Sequence, residues 1–190
     1  MPRLFTGIAL PRPIAETLAS LAVPLAGARW LEPEDMHITL RFAGDVDNPT
    51  ADAFHAALAS IDEPAFELRV QGFGAFGGRE PRTLWAGVAE STWLDALARA
   101  NDRAARYAGL KPAKHPFRPH VTLARLKGTR PEAVARVLGG LGAFTSQPFQ
   151  VESFALLSSR PKIGGGPYVV EDTFHLRGGA DYAGQWGGDA

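Results

Sequence analysis

The chain has 190 residues, 45% of them hydrophobic and 21% charged, an ordinary globular composition that excludes a fibrous or disordered protein. Lys plus Arg balances Asp plus Glu at 20 each, so no global positive field draws in a polyanion, and any such ligand must be gripped locally. The lack of cysteine excludes a disulfide, a thiolate nucleophile and a Cys-based zinc site, and it suits a cytoplasmic protein.

Leu4 to Leu10 reads as a buried strand. It is cut short by Pro11, so neither a secretory h-region nor a membrane span is expected. Pro11 and Pro13 open a helix that runs to about Ala26, with Pro24 disturbing its last turn. Residues 36–43 form the next predicted strand, and Thr50 can cap a helix over 51–61. Two strands are expected near 66–73 and 82–89, with Gly72, Gly74, Gly77 and Gly78 falling between them. Apolar spacing through Trp93, Leu94, Leu97, Ala98, Ala104 and Ala105 predicts a helix to about Ala108. Pro112, Pro116 and Pro119 then forbid regular structure.

A strand follows at 120–126, Pro131 starts a short helix through Leu138, and strands near 149–157 and 168–176 complete the pattern. Residues 178–190 read as a Gly-rich flexible tail. The order β-α-β-α-β-β followed by α-β-α-β-β suggests two similar halves in one α+β molecule. Helix-strand alternation of this kind also fits a parallel sheet.

Each half carries one copy of a tetrapeptide, His37-Ile38-Thr39-Leu40 and His120-Val121-Thr122-Leu123, 83 positions apart. A single histidine in an apolar strand is most often a half-buried structural residue, but only five histidines are present and two of them share this context. Residues two apart on a strand share a face, so His and Thr line one surface while Ile38, Leu40, Val121 and Leu123 anchor it in the core. If the halves face each other, two imidazoles and two hydroxyls converge, which is a site for a tetrahedral oxyanion. One imidazole can take a proton from an attacking water and the other can give one to a departing oxygen. Thr39 and Thr122 would hold the non-bridging oxygens.

Paired histidines can also bind metal, but there is no H-x-H or H-E-x-x-H, and Glu34, Asp35 and Asp45 near the first motif have no counterpart in residues 111–130. No metal or cofactor is expected. Residues 111–130 carry Lys111, Lys114, Arg118, Arg125, Lys127 and Arg130 without an acid, a landing strip for phosphate. Alternation puts Arg118 on the face of His120 and Thr122, and Arg41 on the face of His37 and Thr39. Arg125 points away unless a bulge intervenes. His55, His115 and His175 have no matching Thr; of these, His115 is placed to reach the cleft rim.

Together with Arg3-Leu4-Phe5, Ile8-Ala9-Leu10-Pro11, Trp30, Phe42, Gly44, Leu84-Trp85-Ala86-Gly87-Val88, Phe117-Arg118-Pro119, Ala124-Arg125, Ser158 and Tyr168, the two tetrapeptides resemble those of the two-histidine phosphoesterases. Within them the chain is most similar to the RNA 2′,3′-cyclic phosphodiesterases, also described as 2′-5′ RNA ligases. Ala43 departs from the Leu usual there.

The resemblance implies a bilobal, pseudo-twofold fold over residues 1–177, each lobe a mainly antiparallel sheet with helices on its outer side and a cleft between the lobes. It implies metal-independent hydrolysis of a terminal 2′,3′-cyclic phosphate to a 2′-phosphomonoester, with His37 as proton donor and His120 as proton acceptor. It brings Arg125 back as a substrate contact beside Arg118, Arg41, Phe42 and Tyr168. The implied partners are RNA 3′ ends or cyclic nucleotides, met by a monomer. The competing readings are an RNA- or nucleotide-binding module on the same scaffold, and 2′-5′ ligation of tRNA halves. Pure binding would not need two proton carriers.

Overall fold

The structure, a computed structural model, describes residues 3–159 and 168–179. Of the expected tail, only Gly178 and Gly179 lie within the described residues. Strand β1 (Arg3–Ala9) leads into α1 (Arg12–Ala19), which ends well before Ala26. The Ser20 N–H closes the helix onto the Glu16 carbonyl and the Leu21 N–H onto that of Leu18, and Pro24 ahead can neither donate a hydrogen bond nor let Val23 stay helical. A three-residue strand, β2 (Ala28–Trp30), follows; at this length it leaves no alternation to read in the sequence.

After a single 3-10 turn at Pro33–Asp35 comes β3 (His37–Asp45), then α2 (Asn48–Ala59). The α2 cap is Asp47, whose carboxylate accepts the Thr50 N–H at 2.9 Å, so the helix starts three residues before the expected 51 with Pro49 in its first turn. The stretch expected as one strand over 66–73 divides into β4 (Phe66–Leu68) and β5 (Val70–Phe76), followed by β6 (Thr83–Val88). Ser91 caps α3 (Thr92–Tyr107), and a proline-rich loop leads to β7 (His120–Leu126). The chain continues through α4 (Pro131–Leu141), β8 (Phe149–Val151), β9 (Ser153–Ser159) and β10 (Val169–His175).

The main sheet runs β10-β9-β1-β3-β7-β6-β5, with β2 on the far end of β7, while β4 and β8 pair separately. Every ladder between these strands is antiparallel, which removes the parallel alternative. The order is symmetric about the β3–β7 seam: β1 and β6 flank it, and β9 and β5 lie outside them. The repeat therefore starts again at β6, not after it. Leu4-Phe5-Thr6-Gly7-Ile8-Ala9 and Leu84-Trp85-Ala86-Gly87-Val88-Ala89 occupy matching places beside the seam. Each half also sends one of its later strands across to the other: β5 of the first half edges β6, and β9 of the second edges β1.

The helices cover the face away from the seam histidines, α3 against β3 and α2, and α4 against β5. Phe54, Leu58, Leu94, Leu97, Val70, Leu84 and Leu123 are fully buried there. A small second cluster, Phe5, Ala155 and Leu157 with Tyr168 and Val170 against it, forms apart from this core.

A candidate active site at the seam of the two halves

One residue pair, Ile38 opposite Val121, joins β3 to β7, and both side chains are fully buried. The residues on either side must face the opposite way. In an antiparallel register His37 then falls opposite Thr122 and Thr39 opposite His120, so the two tetrapeptides are interleaved on one surface. All four are half-buried, as residues lining a cleft should be.

Both imidazoles are oriented in the same way. His37 Nδ1 lies 2.8 Å from the Asp35 carbonyl and His120 Nδ1 lies 2.7 Å from the Arg118 carbonyl. A carbonyl only accepts, so each Nδ1 carries a hydrogen and each neutral ring keeps its lone pair on Nε2. Nε2 is thus the atom free for proton transfer. Each ring also rests on aromatics: His37 on Phe5 at 5.0 Å and edge-on to Tyr168 at 4.9 Å, His120 edge-on to Phe76 at 4.9 Å with Trp85 at 6.4 Å.

Glycine makes this packing possible at two places. A Cβ on Gly74 would fall 2.2 Å from the Trp85 ring, and one on Gly7 would press on the Ile38 carbonyl at 3.0 Å and the His37 ring at 3.4 Å.

Two bulges decide which charged residues reach the cleft. On β1, Thr6 pairs with Arg41 and Gly7 with Thr39, leaving Leu40 unpaired; on β6, Leu84 pairs with Ala124 and Trp85 with Thr122, leaving Leu123 unpaired. Each extra residue reverses the alternation beyond it. Leu40 and Arg41 are both buried, as are Leu123 and Ala124, and the next residues, Phe42 and Arg125, are exposed. Phe42 stacks on Phe5 at 6.5 Å, and the Arg125 charge acts on both histidines.

Arg41 does not join them. It is only 8% exposed, its Nε sits 2.9 Å from Asp102 Oδ1 in an ion pair too far off axis for a hydrogen bond, and its other nitrogens donate to the Phe42 and Lys111 carbonyls. It ties β3 to α3 and to the start of the proline-rich loop. Arg118 contributes its carbonyl to His120, while its side chain is exposed. Tyr168 reaches His37 from the edge of the sheet. Phe5, Trp85, Phe76 and Asp35 complete the surroundings; in the sequence Phe5 and Trp85 stand only among the residues of the family resemblance and Asp35 only as an acid near the first motif, none of them with a place in the site. The repeated Leu-aromatic-x-Gly segment, 80 positions apart, was the available signal for Phe5 and Trp85.

His55 pairs with Asp172 at 2.6 Å, outside this cluster. Among the described residues no three or more His, Asp or Glu side chains converge as a metal site. A groove of about 750 Å³ between α2 and α3, lined by Ala56, Ser60, Arg103 and Tyr107, contains no histidine.

Electrostatics act on both rings in the same direction. Burial, aided by the Arg125 and His120 charges and opposed by the Asp35 carbonyl, lowers the His37 pKa from 6.5 to about 4. Burial and Arg125 also lower that of His120, against the Arg118 carbonyl. Both are neutral bases at pH 7 in the free protein. The sign for stability follows: below 6.5 the unfolded chain binds a proton that native His37 refuses, so stability falls with pH until about 4 and then levels off. Denaturant titrations should show the wild type losing at most about 3 kcal/mol more than a His37→Gln variant between pH 7 and 4. Equal losses would contradict a neutral, buried His37.

The model of the 2′-5′ RNA ligase superfamily matches residues 10–162. The RNA 2′,3′-cyclic phosphodiesterase of Aeropyrum pernix is 36% identical over 151 residues, spanning 77% of this chain and 83% of its own. That of Thermus thermophilus is 32% identical over 191 residues, 93% of this chain and 91% of its own. Among solved structures, TT0787 of Thermus thermophilus superposes with a TM-score of 0.76 at 27% identity, covering 93% of this chain and 98% of that one. Escherichia coli LigT complexed with 3′-AMP superposes at 0.73 and 25%, covering 93% and 99%.

Proposed function

This chain belongs to the 2′-5′ RNA ligase superfamily, and from that premise and the seam geometry we propose that it is an RNA 2′,3′-cyclic phosphodiesterase working by two-histidine acid–base catalysis. The relatives that bear this name cover most of the chain. The observation that carries the mechanism is the pair of imidazoles on adjacent strands, each with Nδ1 committed to a carbonyl and Nε2 left for the substrate.

In this reading the cyclic phosphate sits over the Ile38–Val121 pair. His120 Nε2 takes a proton from water as its oxygen bonds to phosphorus. The bond from phosphorus to the ribose 3′ oxygen breaks, His37 Nε2 protonates that oxygen, and a 2′-phosphomonoester remains. Thr39, Thr122 and Arg125 hold the non-bridging oxygens, where negative charge grows in the transition state. His37 is neutral in the free protein, so it becomes an acid only when the anionic phosphate arrives and raises its proton affinity. Phe42 and Tyr168 are the aromatic surfaces at the substrate's edge, and Arg118 reaches the RNA backbone beyond it.

Nothing in this scheme requires a metal. We place the reaction on RNA 3′ ends in the cytoplasm, in keeping with a cysteine-free chain in which no described helix is long and apolar enough to cross a membrane. Residues 1–177 act as one bilobal unit, because the site needs a strand from each half.

Incubation with a short RNA ending in a 2′,3′-cyclic phosphate, in EDTA, tests this: the expected product is the 2′-phosphate at an undiminished rate. A 3′-phosphate product, or turnover lost to chelator and restored by zinc, would overturn the mechanism.

A further inference from the structure

The seam is symmetric, yet His37 and His120 must do opposite jobs. Two features break the symmetry. Two residues before the histidine stands Asp35 in one half and Arg118 in the other. In addition, β10 has no counterpart, because the sheet ends at β5 on the opposite side.

These two features meet. The Asp35 carbonyl accepts the His37 Nδ1–H, and the main-chain N–H of Tyr168, at the start of β10, bears on the Asp35 carboxylate and favours its charged form. The Tyr168 ring then stands edge-on to His37, 87° from its plane, and edge-on to Phe5 at 5.0 Å. Asp35 and Tyr168 thus both lie against His37. The Tyr168 ring belongs to the small apolar cluster on Phe5 and Leu157.

On the other side, among the described residues, Phe76 of β5 stands edge-on to His120 at 4.9 Å and Trp85 of β6 lies at 6.4 Å, so His120 is covered by a strand that is not the equivalent of β10. We propose that Tyr168 is a positioning residue that keeps water from His37 alone, so that the two histidines are shielded by elements that do not correspond.

The groups that bear on His37 are Asp35 in the preceding turn, Arg125 and His120 on β7, and the phenol of Tyr168 on β10; Phe5 on β1 carries no charge. Arg29, Glu32 and Glu34 act on Asp35. Of these, Arg125 also depresses His120, whereas the His120 charge acts on His37. Burial is the largest cause at both rings, and at His37 the Tyr168 ring supplies part of it.

This inference deepens the phosphodiesterase reading, but its test needs no substrate. Histidine ring NMR titrations of the wild type, Tyr168→Ala, Tyr168→Phe and Asp35→Ala should show His37 moving up by roughly one unit or more in Tyr168→Ala. Tyr168→Phe, which keeps the ring, should stay near wild type, and Asp35→Ala should move His37 in the same direction as Tyr168→Ala. His120 should hold still throughout. A His37 titration unchanged in Tyr168→Ala, or equal shifts of both histidines, would overturn the proposal whether or not the protein turns over RNA. With substrate, the acid limb of the kcat/KM profile should move in Tyr168→Ala and return in Tyr168→Phe.

Discussion

His37→Ala and His120→Ala should each lower kcat on a 2′,3′-cyclic phosphate by about 10²–10⁴-fold with the fold intact, because a positioned acid or base contributes about that factor. The fold should survive because each imidazole lies on the cleft face, while the core residues of the same strands, Ile38 and Val121, are untouched. The two variants should differ when the departing oxygen is replaced by sulfur, since a thiolate leaves without protonation. On such a substrate the variant lacking the acid, His37→Ala, should regain most of its rate, and His120→Ala should not. Rescue of His120→Ala instead would exchange the roles. Near-normal activity of either variant on the oxygen substrate would remove both residues from the mechanism.

Arg125→Met should reduce kcat/KM by roughly 10–100-fold, the range expected when a charge-assisted contact to a phosphate oxygen is lost. It should also raise the titration of both histidines, because its positive charge opposes their protonation in the native protein. These two readouts have a common origin in the position of one guanidinium. If kcat/KM falls while neither histidine moves, Arg125 meets the RNA away from the seam. If neither changes, it plays no part in the site. Arg41→Met serves as the contrast: it should weaken the tie between β3, α3 and the proline-rich loop without touching phosphate directly.

The opposite fates of these two arginines show where local pattern stops being informative. His37-x-Thr39 and His120-x-Thr122 could be read without a structure because a strand repeats every two residues and the apolar positions between them declare which face is the core. The same counting placed Arg41 in the cleft and Arg125 outside it. An unpaired residue ahead of each arginine, Leu40 and Leu123, reverses both. A bulge is decided by the partner strand, here β1 and β6, and leaves no local mark when the residue it displaces is an ordinary leucine.

The strand exchange between halves was hidden for a similar reason. Short extended segments such as β5 and β9 look alike in sequence whichever neighbour they join, and only pairing tells that each edges the other half's sheet.

By itself, then, the sequence determined the chemistry's inventory: two His-Thr pairs, the strands that carry them, the helices between, and a composition without cysteine, since all of these follow from residue identity and short-range periodicity. Tertiary structure alone decided which arginine faces the histidines, and that Asp35 and Tyr168 close on one imidazole and not its twin. Those outcomes depend on register and burial, which are properties of residues far apart in the chain.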